Sequence, residues 1–201
     1  MAGPRSYSKL LLWALLALPA VHILYRWRAE QLWPDELVAP TGQWAARLII
    51  VALMLTPLAM LLPRSPALKW LVRHRRAFGV AAFGYALLHL LFYIAEMETV
   101  RNMLAEFQAL GIWTGWAALL LMLPLAATSN DASMRALKAG WKKLQRLVYP
   151  TAILTLVHWI YVHNAPAEAL AQFAPLALLQ LYRIVRLARS PGAGRSLHSP
   201  A

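Results

Sequence analysis

Two histidines stand inside runs of otherwise apolar residues and are the first candidates for chemistry. His89 lies in ALLHLLFY (residues 86–93), and His158 lies in TAILTLVHWIYVHN (residues 151–164). Imidazole is a common metal ligand and titrates near physiological pH. Ionisable side chains are rare in membrane-type apolar helices, and where they occur they usually mark a functional site. What that site does depends on the elements that hold the two rings.

The composition is typical of a helical membrane protein. Of 201 residues, 60% are hydrophobic and only 14% are charged, and the mean hydropathy is +0.51. Long apolar stretches separated by charged loops indicate transmembrane helices rather than a soluble domain. The chain contains no Cys, which excludes disulfides and thiolate metal sites.

Six apolar segments predict six membrane-spanning helices. They cover residues 9–25, 44–62, 78–95, 110–128, 147–162 and 169–182. A helix needs about 20 apolar residues to cross the hydrocarbon core, so the first, fifth and sixth segments must borrow flanking residues. The sixth is interrupted by Gln172, Pro175 and Gln180. Because the segments are continuously apolar and do not alternate, strands are not expected, and the predicted fold is an all-α bundle of six transmembrane helices.

The charged residues predict how this bundle is oriented. Sixteen of the 20 Lys and Arg residues lie at the N-terminus, in the second and fourth connections and after the sixth segment, whereas seven of the eight acids lie on the other side. The positive-inside rule therefore places both termini in the cytoplasm. Anionic lipid headgroups explain the net charge of +12 better than nucleic acid does. We expect a cytoplasmic segment over residues 1–8, a transmembrane domain over 9–189 and a disordered cytoplasmic tail over 190–201.

Within such a bundle the two histidines are predicted to lie at similar depth, towards the outer leaflet. Small residues share the helix face of each ring: Ala86, Ala82 and Gly79 with His89, and Thr155 and Thr151 with His158. Two imidazoles at matched depth, each with a slot of small residues beside it, suit a flat macrocycle that is ligated on both faces.

Other interpretations of the histidines stay open at this point. A polar residue in a membrane helix can hydrogen-bond a neighbouring helix, and small residues can serve close packing. Imidazole also suits zinc or copper, although the sequence suggests no third or fourth ligand. His163, five residues after His158 and so about 140° around the helix, is predicted at the outer interface rather than in the same site.

A series of short motifs occurs in order along the chain. They are TG (41–42), LTPLA (55–59), RHRRAFG (73–79), ALLHL (86–90), ATS (127–129) and WKKLQRLVYP followed by VHWIY (141–161). This succession resembles the MsrQ family (formerly YedZ), the haem-binding membrane subunits of bacterial periplasmic methionine-sulfoxide reductase systems. The family belongs to the wider group with a ferric-reductase-like transmembrane domain. The similarity covers residues 38 to 187.

The resemblance implies a b-type cytochrome of the bacterial inner membrane. Such a protein takes electrons from the quinol pool or from a flavin and passes them to a periplasmic molybdenum-dependent reductase, the MsrP subunit, which repairs oxidised methionines. It feeds the catalytic subunit and is not itself the reductase. His89 and His158 match the family's positions for the axial ligands of haem b, and family members are also described as binding FMN. The axial imidazoles and a low-dielectric surround would set the iron potential.

One position departs from the family pattern. The family has a further histidine in LHxxVY, where this chain reads Leu144-Gln145-Arg146. Gln is a poor ligand for haem iron, so a second haem on the cytoplasmic side is expected to be weakened or absent, unless His74 supplies the ligand instead. Arg76 and its basic neighbours are candidates to attract haem propionates, a flavin phosphate or a donor protein. The alternative is that these charges serve topology alone.

A second class of function also stays open from the sequence. A non-redox membrane protein, either a small transporter or an assembly scaffold, can use buried histidines for hydrogen bonding or proton movement. A transporter usually shows internal symmetry or paired broken helices, and no clear repeat appears in the sequence. The variant His89→Leu separates the two classes, because a scaffold tolerates it and a cytochrome loses its haem.

Overall fold

The described part of the chain folds into α-helices. The computed structural model describes residues 4–189, with side chains from Tyr7 onward. The helices are α1 (Pro4–Ala29), α2 (Pro34–Leu61), α3 (Pro66–Arg73), α4 (Arg75–Met97), α5 (Val100–Glu106), α6 (Leu110–Ala127), α7 (Asp131–Leu137), α8 (Ala139–Leu144), α9 (Val148–His163) and α10 (Pro166–Ala188). A 3₁₀ turn, Gln145–Leu147, joins α8 to α9. Residues 4–189 contain no strand, as predicted, whereas the predicted tail over 190–201 lies outside the described residues.

Four helices among the described residues are long and apolar enough to cross a membrane. They are Tyr7–Ala29, Pro34–Leu61, Arg75–Met97 and Leu110–Ala127, and they contain most of the first four predicted segments. The chain is therefore a multi-pass membrane protein. The fifth and sixth segments also form helices, but α9 has 16 residues, about 24 Å at 1.5 Å per residue, which is shorter than the roughly 30 Å hydrocarbon core. The count of six spans stays a prediction.

The connections contain short helices that the apolar pattern did not indicate. Ser65, Thr99 and Asn130 precede α3, α5 and α7, and each side-chain oxygen accepts the backbone N–H three residues further on, at 3.3, 3.3 and 2.8 Å. Such N-caps satisfy donors that the first turn of a helix leaves unpaired. These helices begin where a cap is available, so the relevant signal was the capping residue and not hydropathy.

The bundle is organised around α2. This helix packs along α4 and also contacts α1, α9 and α10, while α6 packs along α9. Small side chains such as Ala46 and Ala82 are almost completely buried in the core, which allows the backbones of α2 and α4 to approach closely. The fold thus contains two intimate helix pairs, α2 with α4 and α6 with α9.

A glutamine side chain donates to a backbone carbonyl of α2 that a proline leaves without its helical hydrogen bond. Pro57 has no N–H, so the carbonyl of Leu53, four residues earlier, lacks its partner within the helix. Gln180 of α10 donates its Nε2 to Leu53 O at 3.0 Å. The residue that interrupts the sixth apolar segment therefore satisfies a backbone group that lipid cannot satisfy.

A tyrosine hydroxyl joins α4 to α1 in a similar way. Tyr85 is buried, and its hydroxyl donates to Leu16 O and accepts from Ala20 N, both at 2.8 Å. Those two backbone groups are four residues apart, so the hydroxyl is inserted into the hydrogen-bond ladder of α1 beside Pro19. This contact fixes α1 against the α2–α4 pair.

Candidate functional site

A cavity of about 630 Å³ lies between α2, α4, α6 and α9, and both singled-out histidines line it. Its volume falls within the range of about 300–1,000 Å³ that is typical of ligand and cofactor pockets. His89 enters from α4 and His158 from α9, so one ring comes from each of the two helix pairs. The structure therefore brings the two predicted site residues together, although 69 positions separate them in sequence.

The two imidazoles are held close to each other and in defined tautomers. Their ring centres are 5.9 Å apart and their planes meet at 85°. Nδ1 of His89 lies 2.8 Å from Val38 O, and Nδ1 of His158 lies 2.6 Å from Gly111 O. A carbonyl oxygen only accepts, so each Nδ1 carries the hydrogen and each Nε2 keeps its lone pair. The site offers two neutral imidazole nitrogens as ligands.

Each ring is pressed against a glycine of the facing helix. A Cβ at Gly42 would lie 3.0 Å from Cε1 and Nδ1 of His89, and a Cβ at Gly115 would lie 2.6 Å from Nδ1 of His158. Of the small residues predicted beside the two rings, Ala86 and Thr155 line the cavity, whereas Gly79 does not and has nothing within 4 Å of its Cβ position. The close contact with each ring comes from the glycine of the facing helix.

The wall next to His158 contains two further polar rings. Trp159 is 3% exposed, lines the cavity, and has an indole Nε1 with no hydrogen-bond partner among the described residues. His163 lines the same cavity, with its ring centre 6.4 Å from that of Trp159. His163 is the last residue of α9 and shares the cavity with His158. Its predicted place at the outer interface stays a prediction.

One end of the cavity is acidic. Asp35, Glu96 and Glu106 line it at the start of α2, the end of α4 and the end of α5. Tyr93 also lines it, and its hydroxyl lies 3.5 Å from Glu106 Oε2. The histidine cavity therefore opens towards the side on which the sequence concentrates its carboxylates.

A smaller, basic cavity of about 310 Å³ lies at the other end of the bundle. Lys9, His74, Arg76 and Asp131 are among its lining residues. His74 occupies the junction of α3 and α4, where its Nδ1 lies 2.8 Å from Trp70 O and its ring stacks on the Trp70 ring at 4.2 Å. Arg76 pairs with Asp131 at 2.6 Å, and this hydrogen-bonded guanidinium holds the pKa of Asp131 below its usual value.

Gln145 lines neither of the two cavities. Its Nε2 donates to Leu125 O at 3.2 Å and lies 3.1 Å from Thr128 Oγ1, which ties the 3₁₀ turn to the end of α6. Among residues 4–189, no group of three or more His, Cys, Asp or Glu side chains is arranged to hold a metal ion. The histidine pair is thus a two-ligand arrangement.

The fold and this site define the chain as a ferric-reductase-like transmembrane protein. Residues 41–166 match the family described as the ferric reductase like transmembrane component. The matched range starts at Thr41 and includes both histidines of the cavity. No solved structure matches the chain.

Curated relatives narrow this class to one family. A relative from Xanthomonas axonopodis pv. citri is 33% identical over 195 residues, which are 89% of this chain and 88% of that protein. One from Azospira oryzae is 33% identical over 98% of this chain and 88% of its own length, and one from Brucella ovis is 34% identical over 91% and 84%. Each is named protein-methionine-sulfoxide reductase heme-binding subunit MsrQ. The chain belongs to the MsrQ family.

Proposed function

We propose that the chain is a b-type cytochrome of the bacterial inner membrane that binds one haem between His89 and His158. It takes electrons from the quinol pool, or from a flavin, and passes them to a periplasmic molybdenum-dependent methionine-sulfoxide reductase of the MsrP type. The catalytic partner repairs oxidised periplasmic proteins, and this chain feeds it. The relatives' name, heme-binding subunit of a methionine-sulfoxide reductase, supports both the cofactor and the system.

The geometry of the two imidazoles carries the proposal. A metal–imidazole bond is about 2 Å long, so two such bonds, together with the distance from each nitrogen to its ring centre, span about 6 Å. The observed separation of ring centres is 5.9 Å. Both Nδ1 atoms are bound to carbonyls, which fixes each ring and leaves Nε2 as the nitrogen that would bind the iron, as the hydrogen-bond partners of metal-bound histidines do elsewhere.

The remaining walls of the cavity suit a flat macrocycle with polar edges. When bound, haem supplies a one-electron iron couple whose potential depends on its axial ligands and surroundings. The apolar side chains of the four helices lower the dielectric around the two rings. Trp159 Nε1, which is buried without a partner among the described residues, is available to donate a hydrogen bond to a group in the cavity.

A single haem per chain agrees with the hydrogen bonds that Gln145 and His74 make at the basic end. Gln145 uses its amide to hold the end of α6, so it acts as a structural tie rather than as a ligand. His74 uses Nδ1 on its own helix and stacks on Trp70. The basic cavity that contains Lys9 and Arg76 fits an anion better, and we assign the entry of electrons from a flavin or quinol to this side.

The same charge separation supports the proposed topology. Basic residues gather at one end of the bundle, around Arg76, and carboxylates gather at the other, around Glu96. With the basic end in the cytoplasm and six spans, α9 and α10 cross with help from flanking residues, and both termini are cytoplasmic. The histidine cavity then lies near the periplasmic face, next to the partner that receives the electrons.

Electron delivery can be tested in liposomes with the purified chain and a purified MsrP-type subunit. A quinol analogue is expected to reduce the haem, seen as the appearance of b-type absorption bands. Addition of the partner together with methionine sulfoxide is expected to reoxidise it, while the partner without sulfoxide leaves it reduced. Haem that is reduced by quinol but never reoxidised under these conditions would contradict the proposed electron acceptor. If the quinol fails to reduce the haem but reduced flavin does so, the electron donor is the flavin.

A further inference from the structure

A Thr-Gly dipeptide occurs twice in the chain, once opposite each histidine. Thr41-Gly42 lies on α2, and Thr114-Gly115 lies on α6. Both threonines are buried, with 0% and 2% of their surface exposed. The two helix pairs therefore present the same dipeptide to the two rings of the site, a repeat too short to recognise in the sequence without the fold.

On α2, one backbone carbonyl receives both the threonine and the histidine. Thr41 Oγ1 lies 2.7 Å from Leu37 O and 2.9 Å from Val38 O, so its one hydrogen is shared between these two carbonyls. Nδ1 of His89 donates to the same Val38 O at 2.8 Å. The threonine hydroxyl and the imidazole thus share one acceptor, which as a helix carbonyl also faces the backbone N–H of Gly42.

On α6, the arrangement is repeated atom for atom. Thr114 Oγ1 lies 2.7 Å from Leu110 O and 2.9 Å from Gly111 O, so its one hydrogen is again shared between two carbonyls. Nδ1 of His158 donates to the same Gly111 O at 2.6 Å. In both copies the shared carbonyl lies three residues before the threonine and four before the glycine, so it lies about one helical turn before the glycine.

The glycine makes this contact sterically feasible. Because residues four apart lie on the same face of a helix, a side chain one turn after the shared carbonyl would occupy the space of the ring. A Cβ would lie only 3.0 Å from the ring at Gly42 and 2.6 Å from it at Gly115. At Gly115 a Cβ would force the ring away from the carbonyl, and at Gly42 it would displace the ring by a few tenths of an ångström.

We propose that the two Thr-Gly dipeptides are matched cradles that position the two haem-ligating imidazoles and tune their electron donation. The glycine sets where the ring lies, and the threonine sets how strongly Nδ1–H is bound. This inference rests on the proposed haem site but adds four positioning residues to it. It also gives the bundle an approximate internal repeat. Each helix pair contributes one shared carbonyl, one threonine and one glycine on one helix, and one histidine on the other.

The tuning follows from the shared acceptor. A strong hydrogen bond from Nδ1–H makes Nε2 a more basic ligand, and a more basic ligand stabilises ferric over ferrous iron. A carbonyl oxygen has two lone pairs, and within a helix it already accepts the backbone N–H four residues further on. A hydroxyl that also donates to it therefore competes with the imidazole and weakens the bond from Nδ1–H. Removal of the hydroxyl is therefore expected to strengthen the Nδ1–H bond and to lower the midpoint potential.

The test compares Thr41→Val and Thr114→Val with two kinds of control in the purified full chain. Thr41→Ser and Thr114→Ser retain the hydroxyl. Thr151→Val removes a buried hydroxyl of the same kind at a position that, unlike Thr155, does not line the histidine cavity; it donates to Leu147 O at 2.8 Å, which is not a histidine's acceptor. Haem per chain, midpoint potential and the ferric low-spin electron paramagnetic resonance spectrum are measured for each.

The two valine variants are expected to retain haem and to shift the midpoint potential downwards, each with a changed low-spin spectrum. The serine variants and Thr151→Val should keep the wild-type potential. Equal potentials in all variants would overturn the proposal, as would a shift in Thr151→Val as large as that in the cradle variants.

A second readout keeps the cradle separate from the haem assignment. In protein labelled with ¹⁵N-histidine, nuclear magnetic resonance reports the tautomer and the Nδ1–H bond of His89 and His158 with or without haem. The cradle predicts the Nδ1–H form for both, with a change in the Nδ1 signal of one ring in each valine variant. If the wild type binds no haem, the proposed function fails while this result still decides the cradle. An Nε2–H tautomer at either histidine would contradict the cradle even in a haem-loaded protein.

Discussion

The two ends of the bundle use histidine in opposite ways. At the acidic end, His89 and His158 are each anchored on a carbonyl of a different helix and pressed against a glycine of that helix. At the basic end, His74 bonds to and stacks on Trp70, a residue of the helix that it terminates. A histidine whose Nδ1 is fixed by another helix, beside a cavity, is pre-organised for a ligand, whereas one fixed by its own helix is part of a helix junction.

The largest effect is expected when the glycines that face the two cavity histidines are replaced by alanine. Gly115→Ala puts a Cβ 2.6 Å from the His158 ring, so the ring must leave its carbonyl and most haem should be lost. Gly42→Ala, at 3.0 Å, should lose less and alter the spectrum. Haem per chain, measured after purification in detergent, checks the order of these two effects.

The control for these variants lies towards the other end of the bundle. Gly79→Ala adds a Cβ with no neighbour within 4 Å and should leave haem content unchanged, with stability equal to or slightly above wild type, since alanine in a helix is favoured over glycine by about 0.5–1 kcal/mol. If Gly79→Ala lost as much haem as Gly115→Ala, the claim that haem binding depends specifically on the glycines facing the histidines would be contradicted.

A smaller effect is expected in the contact that joins α10 to α2. Gln180→Leu removes the donor to Leu53 O, the carbonyl left open by Pro57. An unsatisfied buried acceptor costs about 1–3 kcal/mol, so the thermal unfolding midpoint in detergent should fall while the haem spectrum of the folded protein stays the same. The exposed Gln108→Leu is the matched control and should unfold as the wild type does. A spectral change in Gln180→Leu would mean that this contact also shapes the haem cavity.

The fold was largely predictable because apolar runs dominate the sequence. The long helices contain the predicted segments, yet they extend past them: α1 starts at Pro4 and α10 ends at Ala188. Helical hydrogen bonding continues beyond the apolar residues, so hydropathy alone does not give the ends. The short helices in the connections depend on caps such as Ser65, a signal that the apolar pattern does not contain.

The site was predictable only in part. His89 and His158 could be singled out because an imidazole is costly in an apolar helix. The role of Gly115 could not be predicted, because it depends on contact with His158, which lies on another helix and far along the chain. The repeated Thr-Gly dipeptide was the available signal, but two residues are too few to count as a repeat until both copies are seen opposite a histidine.

The smallest effect is expected at the ion pair of the basic end. Arg76 lowers the pKa of Asp131, so the pair stabilises the fold above the unfolded-state pKa of about 4 and the contribution is lost as the pH falls through the lower, folded-state pKa. Asp131→Asn should therefore lower the unfolding midpoint slightly at pH 7, and the difference should vanish at low pH. The effect is small because the Asp131 carboxylate is exposed to solvent. A difference that grows on acidification would show that the carboxylate is not stabilised in its charged form.

The central claim is that the acidic end binds haem through two histidines and the basic end does not. Its most direct test is a reduced-minus-oxidised spectrum with pyridine-haemochrome quantitation per chain, for the wild type and for His89→Ala, His158→Ala, His74→Ala and the exposed His22→Ala. We predict a b-type spectrum with one haem per chain, lost in His89→Ala and in His158→Ala and retained in the other two. Retention of haem in both cavity variants, or its loss in His74→Ala alone, would contradict the account.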